Sequence, residues 1–249
     1  GLNPDHYVLG DTEALLAYCH KKHIQPDGLA SRNVIEHIPD FHQLFRQLHE
    51  IGKPGFNLFF ATSANTHHPI VRRIHKKIHY QYENIGSQMD MDDPRIDIQN
   101  CGMKIRSEMI RMRFPELDEL TIVRLAENNR GYAEKAILAR VQSYINSGNM
   151  PAPLPHPSNT CDPYTGAWVE RLVDIKEYAA AAQHSGFRFQ QINGFYNTHY
   201  RGFLKRLVAH ILNALLNLSE SGMIRLSPFL AMKLTQSHYP ETKILANSN

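Results

Sequence analysis

The chain of 249 residues, 42% hydrophobic and 20% charged with a formal net charge of +3, has the composition of a soluble globular protein. That excludes a disordered or fibrous chain, and the charge is too small and too scattered to argue for a nucleic-acid partner. The cysteines Cys19, Cys101 and Cys161 are odd in number and contain no CxxC, which excludes a cysteine zinc site and favours a reducing compartment over a disulfide framework. The opening residues, GLNPDHYVLGD, lack the basic-then-apolar pattern of a secretory signal, and no run reaches the roughly 18 apolar residues of a membrane span. A cytoplasmic protein is expected.

In chain order, HYVLGD reads as a short strand ending in a polar turn at Gly10-Asp11, and ALLAYCHKKH as a helix. PDGLASRNVI is a second short strand that turns polar at Ser31. Asp40, with Gln43 three residues on, predicts an N-cap with a capping-box partner. Behind it Phe41, Leu44, Phe45, Leu48 and Ile51 fall at helical spacing. GKPG stops that helix, and FNLFFATSA follows as a buried strand. Strand, helix, strand, helix, strand with short connections is the pattern of a parallel sheet covered by helices.

Residues 66–150 read differently, as helices: HHPIVRRIHKKIHYQYENI, then LDELTIVRLAENNRGYAEKAILARVQSYINSG, separated by a polar stretch. NMPAPLPHPSNTCDP is a Pro-rich loop or linker. The sheet pattern resumes with the helix VDIKEYAAAAQHSGF, the strand RFQQINGFYN, the amphipathic helix RGFLKRLVAHILNALLNL and a final strand in RLSPFLAMKLTQ. The expected division is 1–65 as part of an α/β core, 66–150 as a helical insertion or cap, and 151–249 as the rest of the core.

GDTEAL, SRNVIEHIPDFHQLFRQLHEIGKPGFNLFFAT and YAAAAQHSGFRFQQINGFY, in that order, resemble the second half of a class I S-adenosylmethionine-dependent methyltransferase. The resemblance implies a Rossmann-like sheet, mostly parallel with the last strand antiparallel and incomplete at its N-terminus. It also implies transfer of a methyl group from S-adenosylmethionine to a small-molecule acceptor. In that family an acidic residue after the third strand holds adenine, which points to Asp11 with Thr12. Ser31, Arg32 and Asn33 follow as cofactor contacts and His37 as the base or positioning group. A carboxylate suits the adenine amine because it only accepts hydrogen bonds, and an imidazole is a usable base near neutral pH. The family's glycine-rich loop is absent, since the fourteen glycines contain no GxGxG. The sequence is therefore expected to be a fragment whose missing strands and loop lie upstream.

Each candidate has a plainer reading. Asp11 could be a turn residue, Ser31–Asn33 a strand end, and Glu36-His37 a polar helix start. Some quinone-type relatives gather a divalent metal with Glu-x-x-Glu-His, but Asn33 stands where the first carboxylate would be. His75 and His79 sit in HKKIH and not HExxH, so no metal site is expected. Trp168, beside Glu170 and Arg171, either binds the acceptor with Arg171 or anchors the insertion. Tyr196 and Asn197 either line the acceptor pocket or pack a turn. The helix 201–218 is expected to pack against the sheet with Phe203, Leu204, Leu207, Ile211, Leu215 and Leu218. The alternatives to a small-molecule methyltransferase are a non-catalytic interaction module that kept the sheet, and a membrane-surface enzyme acting on a lipid or polyprenyl acceptor through that helix.

Overall fold

The computed structural model describes residues 8–86, 101–218 and 223–237. The chain divides into two compact units. One takes the described residues up to Ile35, then Asp40–Thr62 and those from Asp174 onward; the other takes Glu36–Pro39 and Ser63–Val173.

The first unit is built on a four-stranded sheet. Helix α1 (Thr12–Lys22) is followed by β1 (Gly28–Arg32), α2 (Phe41–Ile51) and β2 (Asn57–Thr62). After the second unit come α7 (Ile175–His184), β3 (Phe187–Asn193), α8 (Phe203–Asn217) and β4 (Leu230–Gln236). The sheet order is β1-β2-β4-β3. β1 and β2 are parallel, in register from Gly28 with Asn57 to Arg32 with Ala61. β4 lies antiparallel to both β2 and β3. The ladders are therefore one parallel and two antiparallel among the described residues, so the sheet is mixed rather than mostly parallel. β1, β2 and β3 nevertheless all point one way, and the last strand, as expected, opposes them.

The pattern of side chains explains the layers. In β4, Leu230, Met232, Leu234 and Gln236 are buried in strict alternation, the period of a pleated strand. On α2, Phe41, Leu44, Phe45, Leu48 and Ile51 are buried on one stripe, each contributing about 2 kcal/mol by leaving water. Phe45 meets Phe60 of β2 edge-on with centroids 5.8 Å apart, and Phe41 meets Tyr178 of α7 at 4.9 Å. Asp40 caps α2, its carboxylate accepting from the Gln43 amide at 2.9 Å. The turn after α2 uses Gly55 at φ 86°, a left-handed conformation that glycine adopts without a Cβ penalty.

Two expectations fail in this unit. Val8 to Asp11 form no strand; Asp11 instead caps α1, accepting from the Ala14 amide at 3.0 Å. The rest of HYVLGD lies outside the described residues. The apolar stripe of α8 is not packed on the sheet: Phe203, Leu204, Leu207, Ile211 and Leu218 are exposed, and only Ala209 and Leu216 are buried on that helix.

The second unit is helical, as the 3.6-residue periodicity predicted. It holds α3 (Pro69–Asn84), α4 (Gly102–Arg113), α5 (Glu119–Asn128) and α6 (Glu134–Ser147). Its core is Met109, Ile110, Phe114, Ile122, Leu125, Ala126, Ile137 and Val141. Beneath α3 and α4 lies a buried ionic cluster. Both guanidinium ends of Arg106 donate to the Glu83 carboxylate, and Arg106 Nε donates to the Ala126 carbonyl at 2.8 Å. Thr160 donates to Glu83 at 2.7 Å, and Arg130 Nε stands 3.7 Å from the same carboxylate. The segment 151–173, placed with the sheet by the sequence pattern, belongs to this helical unit, and the sheet unit resumes at Asp174.

Candidate functional site

The chemistry-bearing side chains gather within the helical unit, around Glu36-His37 and the loop Trp168–Arg171. Ile35–His37 form a single turn of 3-10 helix. Backbone bonds lace the loop to that turn: the Trp168 amide donates to the His37 carbonyl and the Arg171 amide to the Glu36 carbonyl, each at 3.2 Å. His37 Nδ1 then bonds the Trp168 carbonyl at 2.7 Å. A carbonyl cannot donate, so Nδ1 carries the hydrogen, and in the neutral ring Nε2 is the atom with the lone pair. That lone pair stands 3.9 Å from Glu170 Oε1.

Helix α3 supplies two more imidazoles. His75 and His79 lie one turn apart, both buried, while Arg72, Arg73, Lys76 and Lys77 face outward. His75 Nε2 bonds the Ser63 carbonyl at 3.2 Å, which turns its Nδ1 toward Glu170 Oε2 at 3.9 Å. His79 Nε2 bonds the Glu170 carbonyl at 3.0 Å. Burial holds His79 neutral, pushing its pKa down to about 4 despite that hydrogen bond. Glu170 itself sits at φ 45°, an uncommon conformation for a residue with a side chain and one that clusters at functional sites. Ser63 Oγ donates to its Oε2 at 3.3 Å. Glu36 is completely buried. One ligand atom each from Glu36, His37 and Glu170 lie within 4.8 Å of one another, a spacing that can hold a metal ion.

Glu170 is the residue that sequence reasoning passed over, noticed only as a neighbour of Trp168. No spacing rule could have found it, because 133 positions (170 minus 37) separate it from His37.

The remaining expected residues divide. Trp168 is buried and packed: a Cβ at Gly131 would come within 2.9 Å of its ring, and the Arg171 guanidinium lies 4.2 Å over it. Trp168 thus anchors its loop, with Arg171 stacked upon it. Tyr196 and Asn197 belong to the sheet unit. Tyr196 ties the segment after β3 to α8 and to the turn at Leu226, through its amide to Asn213 at 2.7 Å and its hydroxyl to the Leu226 carbonyl at 2.7 Å. Burial raises its phenol pKa. Asn197 closes a local turn onto the His199 amide at 2.9 Å. Asp11, Thr12, Ser31, Arg32 and Asn33 all lie in the sheet unit. Arg32 ends β1, and Asn33 follows in the left-handed conformation at φ 53°.

No protein-family model matches the sequence, and no curated protein matches it.

Proposed function

We propose that the protein is an S-adenosylmethionine-dependent methyltransferase acting on a small-molecule acceptor. The observation that carries this reading is the sheet: three strands pointing one way, with the last strand opposed and inserted between β2 and β3. It joins the sequence resemblance in SRNVIEHIPD and GKPG. In such sheets ligands bind beyond the carboxyl ends of the strands, where Ser31, Arg32 and Asn33 lie. α1 feeds β1 through residues 23–27. On this reading Asp11, at the N-terminus of α1, lies at the same end. The donor set suits the adenine half of the cofactor. Asp11 is exposed, one carboxylate oxygen caps α1, and the group can still accept from the exocyclic amine.

The cofactor supplies a methyl group on a sulfonium, and the protein's main contribution is alignment. His37 offers an Nε2 lone pair held by its Trp168 bond, the arrangement of a general base or a positioning group for the acceptor.

Calorimetry of S-adenosylmethionine with the full gene product tests this. Asp11→Ser keeps an oxygen to cap α1 but is too short to reach an adenine amine. Binding should weaken about tenfold or more, each tenfold being about 1.4 kcal/mol. Absence of binding, or binding indifferent to Asp11→Ser, overturns the reading.

One observation favours a second reading, a membrane-surface enzyme. The apolar face of α8 is exposed from Phe203 to Leu218, with Lys205 and Arg206 beside it. No helix among the described residues is long and apolar enough to cross a membrane. Flotation with anionic vesicles, lost in Leu207→Glu with Ile211→Glu, is the expected result on that reading.

A further inference from the structure

We propose that Glu36, His37 and Glu170 form a binding site for a first-row divalent cation, with His75 beside it, turned to the Glu170 carboxylate. The argument starts from lone pairs. His37 and His75 each spend one ring nitrogen on a backbone carbonyl, Trp168 at 2.7 Å and Ser63 at 3.2 Å. In the neutral ring the other nitrogen of each is then an acceptor. Both acceptors are aimed at Glu170, one at each carboxylate oxygen, and both at 3.9 Å. The buried Glu36 carboxylate completes the group within 4.8 Å. Lone pairs and carboxylates facing one another repel unless positive charge lies among them.

His75 shows that this is more than a chance gathering of acids. Its side chain is 9% exposed. Its Nδ1 is buried without a hydrogen-bond partner among the described residues, and it stands 3.9 Å from Glu170 Oε2. Burying a polar atom that bonds nothing is costly, and a cation repays it. The backbone bonds on the far side of each imidazole are the outer shell that metal-binding histidines use to fix tautomer and ring orientation. Ser63 does the same for Glu170, donating to Oε2 at 3.3 Å. His79 Nε2 bonds the Glu170 carbonyl at 3.0 Å, tying down the backbone of a residue that sits at φ 45°.

The donor set selects the ion. Imidazole with carboxylates suits zinc, manganese, iron or cobalt better than magnesium or calcium, which prefer all-oxygen shells. Ligand atoms about 2.1 Å from zinc stand about 3.4 Å apart in a tetrahedron, so the 3.9 Å pairs close by about half an ångström on binding. Three protein ligands leave a position open to solvent, since His37 and Glu170 are 41% and 28% exposed. A water or an acceptor hydroxyl takes that position, and the cation lowers its pKa. Of the two roles proposed for His37, this arrangement favours the positioning group, acting through the metal. Only this last step rests on the methyl-transfer reading; the cation site does not.

The test therefore involves no S-adenosylmethionine. The protein is stripped with chelator and titrated calorimetrically with zinc chloride and, separately, manganese chloride. Cobalt absorption reports whether nitrogen and oxygen ligands are engaged. One ion per chain is expected. Because the chain has 15 histidines, His20→Ala on α1 serves as control and should leave binding unchanged. His37→Gln and Glu170→Gln, checked for folding by circular dichroism, should each weaken binding more than about 100-fold, beyond the loss typical of outer-shell changes. Ser63→Ala should weaken it about tenfold. Binding within threefold of the parent in both folded Gln variants overturns the site, as does no stoichiometric binding of either ion. Loss of methyl-donor binding with the cation intact would instead count against the proposed function alone.

Discussion

At the scale of single residues, burial decides which groups carry charge. His79 is neutral because its ring lies out of water, and its pKa falls to about 4 from an ordinary 6.5. In the unfolded chain the same ring protonates below about 6.5, so between these values the unfolded state binds more protons. Stability therefore rises with pH across that window and is lost as pH falls through it. His79 alone should account for about 2 kcal/mol of the difference between pH 7 and pH 5. Urea titrations at both pH values should show that difference shrink in His79→Gln; an unchanged difference would show the ring is not held neutral. Cys161 follows the same physics. Burial pushes its thiol up to about 12, so it should resist alkylation until the helical unit unfolds, whereas the partly exposed Cys101 reacts in the native state.

Elements are set by their ends and their stripes. α2 begins where Asp40 can accept from the Gln43 amide and presents five apolar residues to one side. Asp40→Ala should cost about 1 kcal/mol, read as a shift in the urea midpoint at unchanged slope. α3 has two faces of different use: exposed Arg72, Arg73, Lys76 and Lys77 on one, and buried His75, His79 and Glu83 on the other. A helix whose inward stripe is polar does not contribute an apolar core. It contributes partners, to Ser63 and Glu170 through the imidazoles and to Arg106 and Thr160 through Glu83.

For the whole molecule, each of the two units has its own interior, the sheet unit an alternating apolar one and the helical unit an apolar core beside the ionic cluster of Arg106, Glu83 and Arg130. Removing one partner of a buried pair strands the other charge, at about 3–5 kcal/mol. Glu83→Gln should therefore destabilise the helical unit by about that amount. Hydrogen exchange should show amides of α4, α5 and α6 losing protection while those of β1, β2, β3 and β4 keep theirs. Equal loss in both sets would mean the two interiors melt together.

Local pattern determined much of this. Apolar period and capping residues placed α2, α3, β1, β2 and β4 within a few residues of where they lie, and marked 117–148 as helical without separating α5 from α6; α4 was not picked out. The reason is that helix periodicity and turn chemistry are short-range properties that neighbouring residues settle. Two local readings failed for want of tertiary information. Asp11 was read as a strand end because its capping bond to Ala14 competes with an extended continuation. The α8 stripe was read as packed because a hydrophobic pattern says that a face is apolar, not that anything covers it. Strand order and direction were only half legible: the opposed last strand followed from the resemblance, but its insertion between β2 and β3 is a long-range pairing. The site was least legible of all. His37 and Glu36 stood out as a pair, and His75 and His79 as another. What joins them is Glu170, brought across by backbone bonds that no sequence spacing encodes. Only the folded chain brings the Glu36, His37 and Glu170 side chains within 4.8 Å of one another and turns His75 to the same Glu170 carboxylate, because only there do the Trp168 and Ser63 carbonyls take up one nitrogen of each ring.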